Sequence, residues 1–240
     1  MQLRLPTSVS EAQECLAEGA VPIGGATLVW ATWQRDGFPD QAMSLRNLPE
    51  ANTIGPEALG AAVLLHQVDD RVPEVLRLAA ATIGTGAVRR TATVGGNLIG
   101  STLRCLLPAA YVLDARAMVL EPDRVYETDL AEVVAKRHLL LSLRWRVPII
   151  SGYRKLASEA GGPPPFVVAA AVHADPGGPD LLRVAVRDGY EVLSDSTVCD
   201  ADTAEVLDTL RHTAIGTLHP TAWETVRQHV TDLLARLANE

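Results

Sequence analysis

Two glycine pairs, each directly preceded by an apolar residue, are the residues of this chain whose types and spacing best suit ligand binding. Gly24-Gly25 follows the apolar residues 21–23, and Gly95-Gly96 follows Thr93-Val94. Because glycine lacks Cβ and adopts positive φ readily, backbone amides at such positions can approach a ligand closely. A helix that begins after the turn adds unpaired N–H groups and partial positive charge, which together bind phosphate. Each pair therefore predicts a phosphate site without a basic side chain, and a simple tight turn is the alternative for either pair alone.

With their flanks, the two segments resemble the two cofactor loops of the FAD-binding flavin subunits of molybdenum hydroxylases. That family includes the medium subunit of carbon monoxide dehydrogenase and the flavin domain of xanthine dehydrogenase. Residues 22–28 resemble its AGGT(D/S)L loop, and residues 88–98 resemble its IRN-x-(A/G)TVGGNL loop. Other landmarks occur in the same order over nearly the whole chain: the opening helix at 5–18, L-x-I-G-A at 59–61, A-L-D-A at 113–115, Y-R-K-L at 152–156, the strand at 167–172 and the closing helix around Trp223. Several landmarks in order are more specific than either loop.

The resemblance implies an α+β chain, with an FAD-binding fold of two mixed α/β subdomains and a C-terminal antiparallel sheet with helices. The expected ranges are 1–52 for the N-terminal FAD-binding subdomain, 53–147 for the second FAD-binding subdomain and 148–240 for the C-terminal α+β domain. A change in sequence texture near residues 145–151, where two apolar strands and a dense turn signal follow, is consistent with the last boundary.

The same resemblance implies that backbone amides of both loops bind FAD, chiefly at its diphosphate. The residues so placed are Ile23, Gly24, Gly25, Ala26, Thr27 and Leu28 in the first loop and Thr93, Gly95, Gly96 and Asn97 in the second. Lys155 matches a family lysine near the flavin, where a cation could stabilise negative charge on the reduced ring. A solvated lysine at a strand end is the alternative for Lys155.

The chain departs from the family pattern at side chains that help to hold the cofactor. Where the family has A-S-P-x-x-D after its second loop, residues 101–106 carry no carboxylate. Residues 88–90 replace I-R-N, and Ala26 replaces a threonine. Because one lost hydrogen bond costs about 1 kcal/mol, we expect FAD to bind severalfold or more weakly than a full set of contacts would allow.

Composition excludes several other classes of function. A net charge of −8 disfavours a nucleic-acid groove, which requires a basic face. Cys15, Cys105 and Cys199 are too few and too dispersed for a cysteine-held iron–sulfur cluster or structural zinc, and they indicate a reducing, cytoplasmic setting. The six histidines show no metal-ligand spacing, so no metal site is predicted. No uninterrupted apolar run approaches about 18 residues, so no membrane span is predicted.

Three functions are compatible with these features. The first is an FAD-dependent oxidoreductase or flavin electron-transfer subunit, acting on a small organic substrate or with redox partner subunits that carry any cluster. The second is a non-redox tailoring or cyclisation enzyme on the same fold with weakened or lost FAD binding. The third is an assembly subunit without chemistry of its own. A homo-oligomer is compatible with all three, and no catalytic acid or base is identified.

The elements that must position the loops are predicted from local patterns. Residues 8–11 form a capping box that begins a helix to about Glu18. Further helices are expected over 26–33, 70–80, 102–113, 203–214 and 221–238, and strands over 21–23, 166–173 and 181–186. The apolar stretch 59–68 fits either a strand or a buried segment.

Overall fold

The structure is a computed structural model that describes residues 1–157, 162–199 and 202–239. Its helices are α1 (Val9–Ala17), α2 (Val29–Asp36), α3 (Glu74–Ala81), α4 (Gly86–Arg89), α5 (Leu107–Val112), α6 (Leu130–Lys136), α7 (Thr203–Arg211) and α8 (Pro220–Leu237). Its strands are β1 (Gln2–Arg4), β2 (Val21–Pro22), β3 (Gln41–Met43), β4 (Ile54–Gly55), β5 (Ala58–Gly60), β6 (Arg116–Leu120), β7 (Val125–Asp129), β8 (Leu140–Arg144), β9 (Ile150–Lys155), β10 (Val167–His173), β11 (Leu181–Asp188) and β12 (Glu191–Val198).

The chain divides into two compact units that are discontinuous in sequence. The first unit comprises Met1–Val72, Ile83–Arg104 and Ala115–Trp145. The second comprises Pro73–Thr82, Cys105–Asp114 and Arg146–Glu240. Both glycine loops therefore belong to the first unit, whereas Lys155 belongs to the second.

The first unit contains two sheets. A small parallel sheet has the order β1-β3-β2, and a five-stranded antiparallel sheet has the order β4-β5-β8-β6-β7. Helix α1 is amphipathic and buries Ala12 and Cys15 against Met43 and Leu48. The parallel sheet matters for the site, because β2 runs directly into the first glycine loop.

The second unit is built on an antiparallel sheet of order β12-β11-β10-β9. All seven residues of β10 are buried, as is typical of a central strand covered on both faces. One face packs apolar side chains against α7 and α8 through residues such as Val226 and Val230. Helices α3 and α5 contact the sheet as well, and the backbone N–H of Val75 in α3 donates to Ser151 Oγ of β9.

The α+β architecture with a C-terminal antiparallel sheet is confirmed, and most predicted elements occur with shifted ends. The first helix is capped as predicted, since Ser8 Oγ accepts from the N–H of Glu11. The helix expected over 102–113 begins only at Leu107, because Pro108 is tolerated in the first turn of a helix but not in its interior. The ambiguous stretch 59–68 is divided between the end of β5 and a short 3₁₀ turn, Leu65–Gln67. Across the described ranges, no helix is long and apolar enough to cross a membrane.

Candidate functional site

The first glycine loop connects a parallel strand to the start of a helix. The N–H of Ile23 donates to the Met43 carbonyl at 2.8 Å, which continues the pairing of β2 with β3. The chain then turns through Gly24 and Gly25 into Ala26, whose φ of 55° lies in the left-handed region. Since a residue other than glycine rarely adopts this conformation, Ala26 marks a local strain of the kind that clusters at binding sites.

The first loop presents a run of unengaged backbone donors. In the described part of the chain, none of the amide N–H groups of residues 24–28 has a hydrogen-bond partner. Gly24, Thr27 and Leu28 are exposed, and α2 begins at Val29. Successive N–H groups in such a turn, next to the positive end of a helix, form a concave site for an anion.

The second glycine loop has its amides engaged within the chain. The N–H of Gly95 donates to the Ala61 carbonyl at 2.8 Å, and the N–H of Asn97 donates to the Thr93 carbonyl at 3.0 Å. The N–H of Gly96 donates to Thr93 Oγ1 at 3.1 Å. These bonds lead into a single π-helical turn, Gly96–Gly100, a feature that is frequent at functional sites. The second loop is therefore a turn whose amides are bonded within the chain rather than an open row of donors.

The two loops, about seventy residues apart in sequence, pack directly against each other. A Cβ on Gly24 would lie 2.3 Å from Thr93 Oγ1, and a Cβ on Gly25 would lie 1.6 Å from the Thr91 carbonyl oxygen. Both distances are far shorter than any real contact of a Cβ atom. The first glycine pair is thus required by the close approach of the second loop, and the structure brings together the two segments that the sequence singled out.

The charge around the loops suits an anionic ligand despite the acidic chain. Residues 19–35 and 83–104 contain no Asp or Glu, although the chain has 29 acidic residues. Arg104 has a left-handed backbone with φ of 41°. Its Nε is buried and has no hydrogen-bond partner in the described ranges. By contrast, Arg89 donates to the carbonyls of Ile83 and Gly84, so its guanidinium supports the backbone. The open amides, and the lack of Asp and Glu in both loop segments, fit a bound diphosphate.

Lys155 lies in the second unit, at the end of β9. Its Nζ donates to the Thr82 carbonyl at 2.8 Å, and Thr82 Oγ1 is 3.4 Å from the hydroxyl of Tyr153. Burial raises the pKa of Tyr153 to about 12, so this phenol stays protonated at neutral pH. Lys155 is thus anchored rather than freely solvated, and its role near a flavin stays a prediction.

Sequence reasoning missed three features of this region. The strain at Ala26 and the buried Nε of Arg104 have no signal in a single sequence, because both depend on the folded backbone. The exposure of Trp30 was also missed, although the apolar stretch 26–33 was predicted to be a helix. In the described part of the chain, no three His, Cys, Asp or Glu side chains are grouped so that they could hold a metal ion.

Comparison with known families and structures gives a consistent result. A family model described as the FAD binding domain in molybdopterin dehydrogenase matches residues 1–140. No curated protein sequence matches the chain.

Solved structures share the fold over the full length of the chain. The Cu,Mo-CO dehydrogenase in its cyanide-inactivated form superposes with a TM-score of 0.73 at 17% identity, covering 98% of this chain and 96% of that chain. Reconstituted CO dehydrogenase from Oligotropha carboxidovorans gives 0.75 at 16% identity, with coverage of 98% and 96%. Quinoline 2-oxidoreductase from Pseudomonas putida 86 gives 0.69 at 18% identity, with coverage of 100% and 97%.

Proposed function

The chain belongs to the family of FAD-binding domains of molybdopterin dehydrogenases, and from that premise we propose that it is a flavin electron-transfer subunit. FAD is the cofactor of this family, and a redox role follows from the membership. The finer proposal is that the chain passes electrons between FAD and a separate redox subunit. The family match favours this role over the non-redox alternative.

The observation that carries the proposal is the open row of amides at residues 24–28. These donors lie at the N-terminal end of α2, beside the second loop, and both loop segments lack Asp and Glu. A diphosphate offers the acceptor oxygens that such a row lacks within the chain. When bound, FAD supplies the reversible uptake and release of one or two electrons.

We assign different tasks to the two loops. The amides of Gly24, Gly25, Ala26, Thr27 and Leu28 donate to the diphosphate oxygens, with Ile23 fixing the loop to β3. The second loop, through Thr93, Gly95, Gly96 and Asn97, packs against the first and keeps its amides aligned. Because its own amides are already bonded, its contribution to FAD affinity comes mainly from holding the first loop in place.

Lys155 has a separate proposed task at the flavin ring. A fixed ammonium group near the ring stabilises negative charge on the reduced cofactor. Its hydrogen bond to the Thr82 carbonyl supports this task, since the bond limits the positions that Nζ can occupy. The expected consequence of removing the charge is a lower flavin reduction potential rather than loss of binding.

Redox partners follow from what the chain itself carries. Its three cysteines are dispersed, so a cluster that exchanges electrons with the flavin would belong to another subunit.

We further propose that residues 1–52 and 53–147, with one glycine loop each, are the FAD-binding subdomains and that 148–240 form the third part.

The test is a titration of the purified full chain with FAD. We expect saturable uptake of one FAD per chain, with a flavin absorbance spectrum that persists through gel filtration. Lys155→Met is expected to retain FAD while the reduction potential falls, and Lys136→Met, which changes an exposed lysine of α6, is the matched control.

Two outcomes would contradict the proposal. A folded chain that takes up no FAD would remove the cofactor role. A chain whose flavin, once chemically reduced, is reoxidised by no added iron–sulfur protein or soluble acceptor would remove the electron-transfer role.

A further inference from the structure

Helix α2, which follows the first glycine loop, forms a partly exposed aromatic cluster with Phe38 and has no buried residue. Trp30 is 48% exposed and Phe38 is 44% exposed. Their rings meet edge to face with centroids 5.3 Å apart, and the Trp33 and Phe38 centroids are 6.2 Å apart. We call these three side chains the aromatic face. The chain has ten aromatic residues in total, so three on one exposed surface is a marked concentration.

A group that covers the aromatic face would stabilise α2. A helix of eight residues is marginal in water by itself, and most helical stability in proteins comes from packing of an apolar face. Helix α2 buries none of its side chains in the described structure. Whatever covers Trp30 would therefore stabilise the helix and the loop that leads into it.

Trp30 lies within one helical turn of the first glycine loop. Trp30 is the second residue of α2, and its N–H donates to the carbonyl of Ala26 in the first loop. The Cα–Cβ bonds of a helix tilt toward its N-terminal end, so Trp30 begins within one turn of residues 24–28, while its ring packs against Phe38. Val21 and Leu28, on either side of the glycine pair, are exposed as well. The open amides thus adjoin an apolar surface with a flat aromatic ring.

We propose that Trp30 stacks on a flat ring of the dinucleotide whose diphosphate the first loop holds. The inference rests on the proposed function and adds a side-chain contact to a site built from backbone amides. A dinucleotide carries a flat ring system on each side of its diphosphate, and stacking on an exposed indole removes apolar surface of both partners from water. The edge-to-face contact with Phe38 restricts the Trp30 ring before the ligand arrives, which lowers the entropy cost of stacking.

The experiment compares equilibrium affinities of wild type, Trp30→Leu and Trp30→Phe for FAD, ADP and FMN. Stacking on one aromatic side chain is worth about fivefold to a hundredfold in affinity, so Trp30→Leu is expected to weaken FAD binding by that factor. Trp30→Phe, which keeps a flat ring, is expected to retain most of the affinity. A parallel loss for ADP assigns the adenine to Trp30, and a parallel loss for FMN assigns the isoalloxazine. Tyr190→Leu, at a residue of the second unit that is 64% exposed, is the matched control and is expected to change none of the affinities.

Hydrogen exchange of α2 gives a second measurement. Amides of residues 29–36 are expected to become protected on FAD addition in wild type and to gain less protection in Trp30→Leu. Since Trp30 is exposed, Trp30→Leu is expected to unfold at the wild-type temperature without ligand.

The outcomes separate this inference from the proposed function. Wild-type protein that binds no FAD overturns the proposed function. Wild-type and Trp30→Leu proteins that bind FAD equally overturn the inference alone. A Trp30→Leu protein that keeps its FAD affinity but loses association with a second protein also overturns it, since the aromatic face would then be a protein interface.

Discussion

At the residue scale, the first glycine pair illustrates how two loops distant in sequence can require the absence of a side chain. The Cβ of an alanine at position 24 would meet a side-chain oxygen, Thr93 Oγ1, whereas at position 25 it would meet the backbone carbonyl of Thr91. The two substitutions are therefore expected to behave differently, because a side chain can be shortened and a backbone carbonyl cannot.

A double-substitution test follows from this difference. Gly24→Ala alone is expected to lower the free energy of unfolding by about 1–3 kcal/mol and to weaken FAD binding. In the Thr93→Ala background the remaining Thr93 Cβ lies 3.5 Å away, an ordinary contact, so Gly24→Ala should cost much less there. Gly25→Ala should be equally damaging in both backgrounds.

The measurements are thermal unfolding and FAD titration of each single and double variant. Gly100→Ala is the control, since a Cβ at Gly100 would meet no atom within 4 Å and its φ is not positive. Equal effects of Gly24→Ala with and without Thr93 would contradict the packing of the loops described above.

At the element scale, helix α8 is held to the sheet by a contact that includes a buried histidine. His229 is 7% exposed, and a Cβ on Gly152 would lie 3.1 Å from its Cε1, so the glycine in β9 makes room for the ring. Burial lowers the pKa of His229 from 6.5 to about 4, and the nearby charges of Arg154, Asp232 and Arg236 partly oppose one another. Its Nε2 has no hydrogen-bond partner in the described ranges.

Acid should therefore weaken the packing of α8. Between pH 6.5 and 4 the unfolded chain binds a proton at His229 and the folded chain does not, so this contribution is present above pH 6.5 and is lost as the pH falls toward 4. The full loss is on the order of 3 kcal/mol. The free energy of unfolding, measured at pH 7.5 and pH 5, should fall less for His229→Gln than for wild type. His212→Gln, at a side chain that is 77% exposed, should follow wild type. An identical fall in all three proteins would contradict the burial of an uncharged imidazole.

The elements also show which parts of the fold local pattern can predict. Helix α8 was predicted because its apolar residues repeat with a helical period, and strand β10 because it is a continuous apolar run followed by a dense turn signal. Strand β7 (Val125–Asp129) was missed because it is short and has no buried residue, so its conformation depends on pairing with β6. The helix predicted over 26–33 occurs at Val29–Asp36, since the chain first passes through the strained turn at Ala26.

The candidate site was predictable to a similar extent. Both glycine loops were identified from sequence, and their family context came from resemblance. Which loop has open amides was not predictable, because Gly95 is bonded to the distant Ala61, whose position only the folded chain defines. The contact of Gly25 with Thr91 joins segments 66 residues apart, and no local pattern encodes it.

At the scale of the whole molecule, the uneven distribution of Asp and Glu along the sequence explains how an acidic chain can bind an anionic ligand. The net charge of −8 repels an anion at long range, but residues 19–35 and 83–104 carry none of the acidic side chains. Binding through neutral backbone amides needs no excess of basic residues near the ligand. An acidic protein can therefore hold a diphosphate in loops whose own segments contain no negatively charged side chain.

This arrangement predicts how FAD affinity responds to salt. Exposed charges are screened beyond about 10 Å at 0.1 M ionic strength, so added salt weakens the long-range repulsion between the acidic chain and the FAD diphosphate. Hydrogen bonds from the amides of residues 24–28 are short-ranged and are screened much less. Between about 0.05 and 0.5 M salt, we expect the Kd for FAD to stay constant or to fall by less than about threefold. A Kd that rises tenfold or more would instead show that cations such as Arg104 carry the binding, and Arg104→Gln would then flatten the dependence. A flat dependence in both proteins would locate the affinity in the backbone of the first loop.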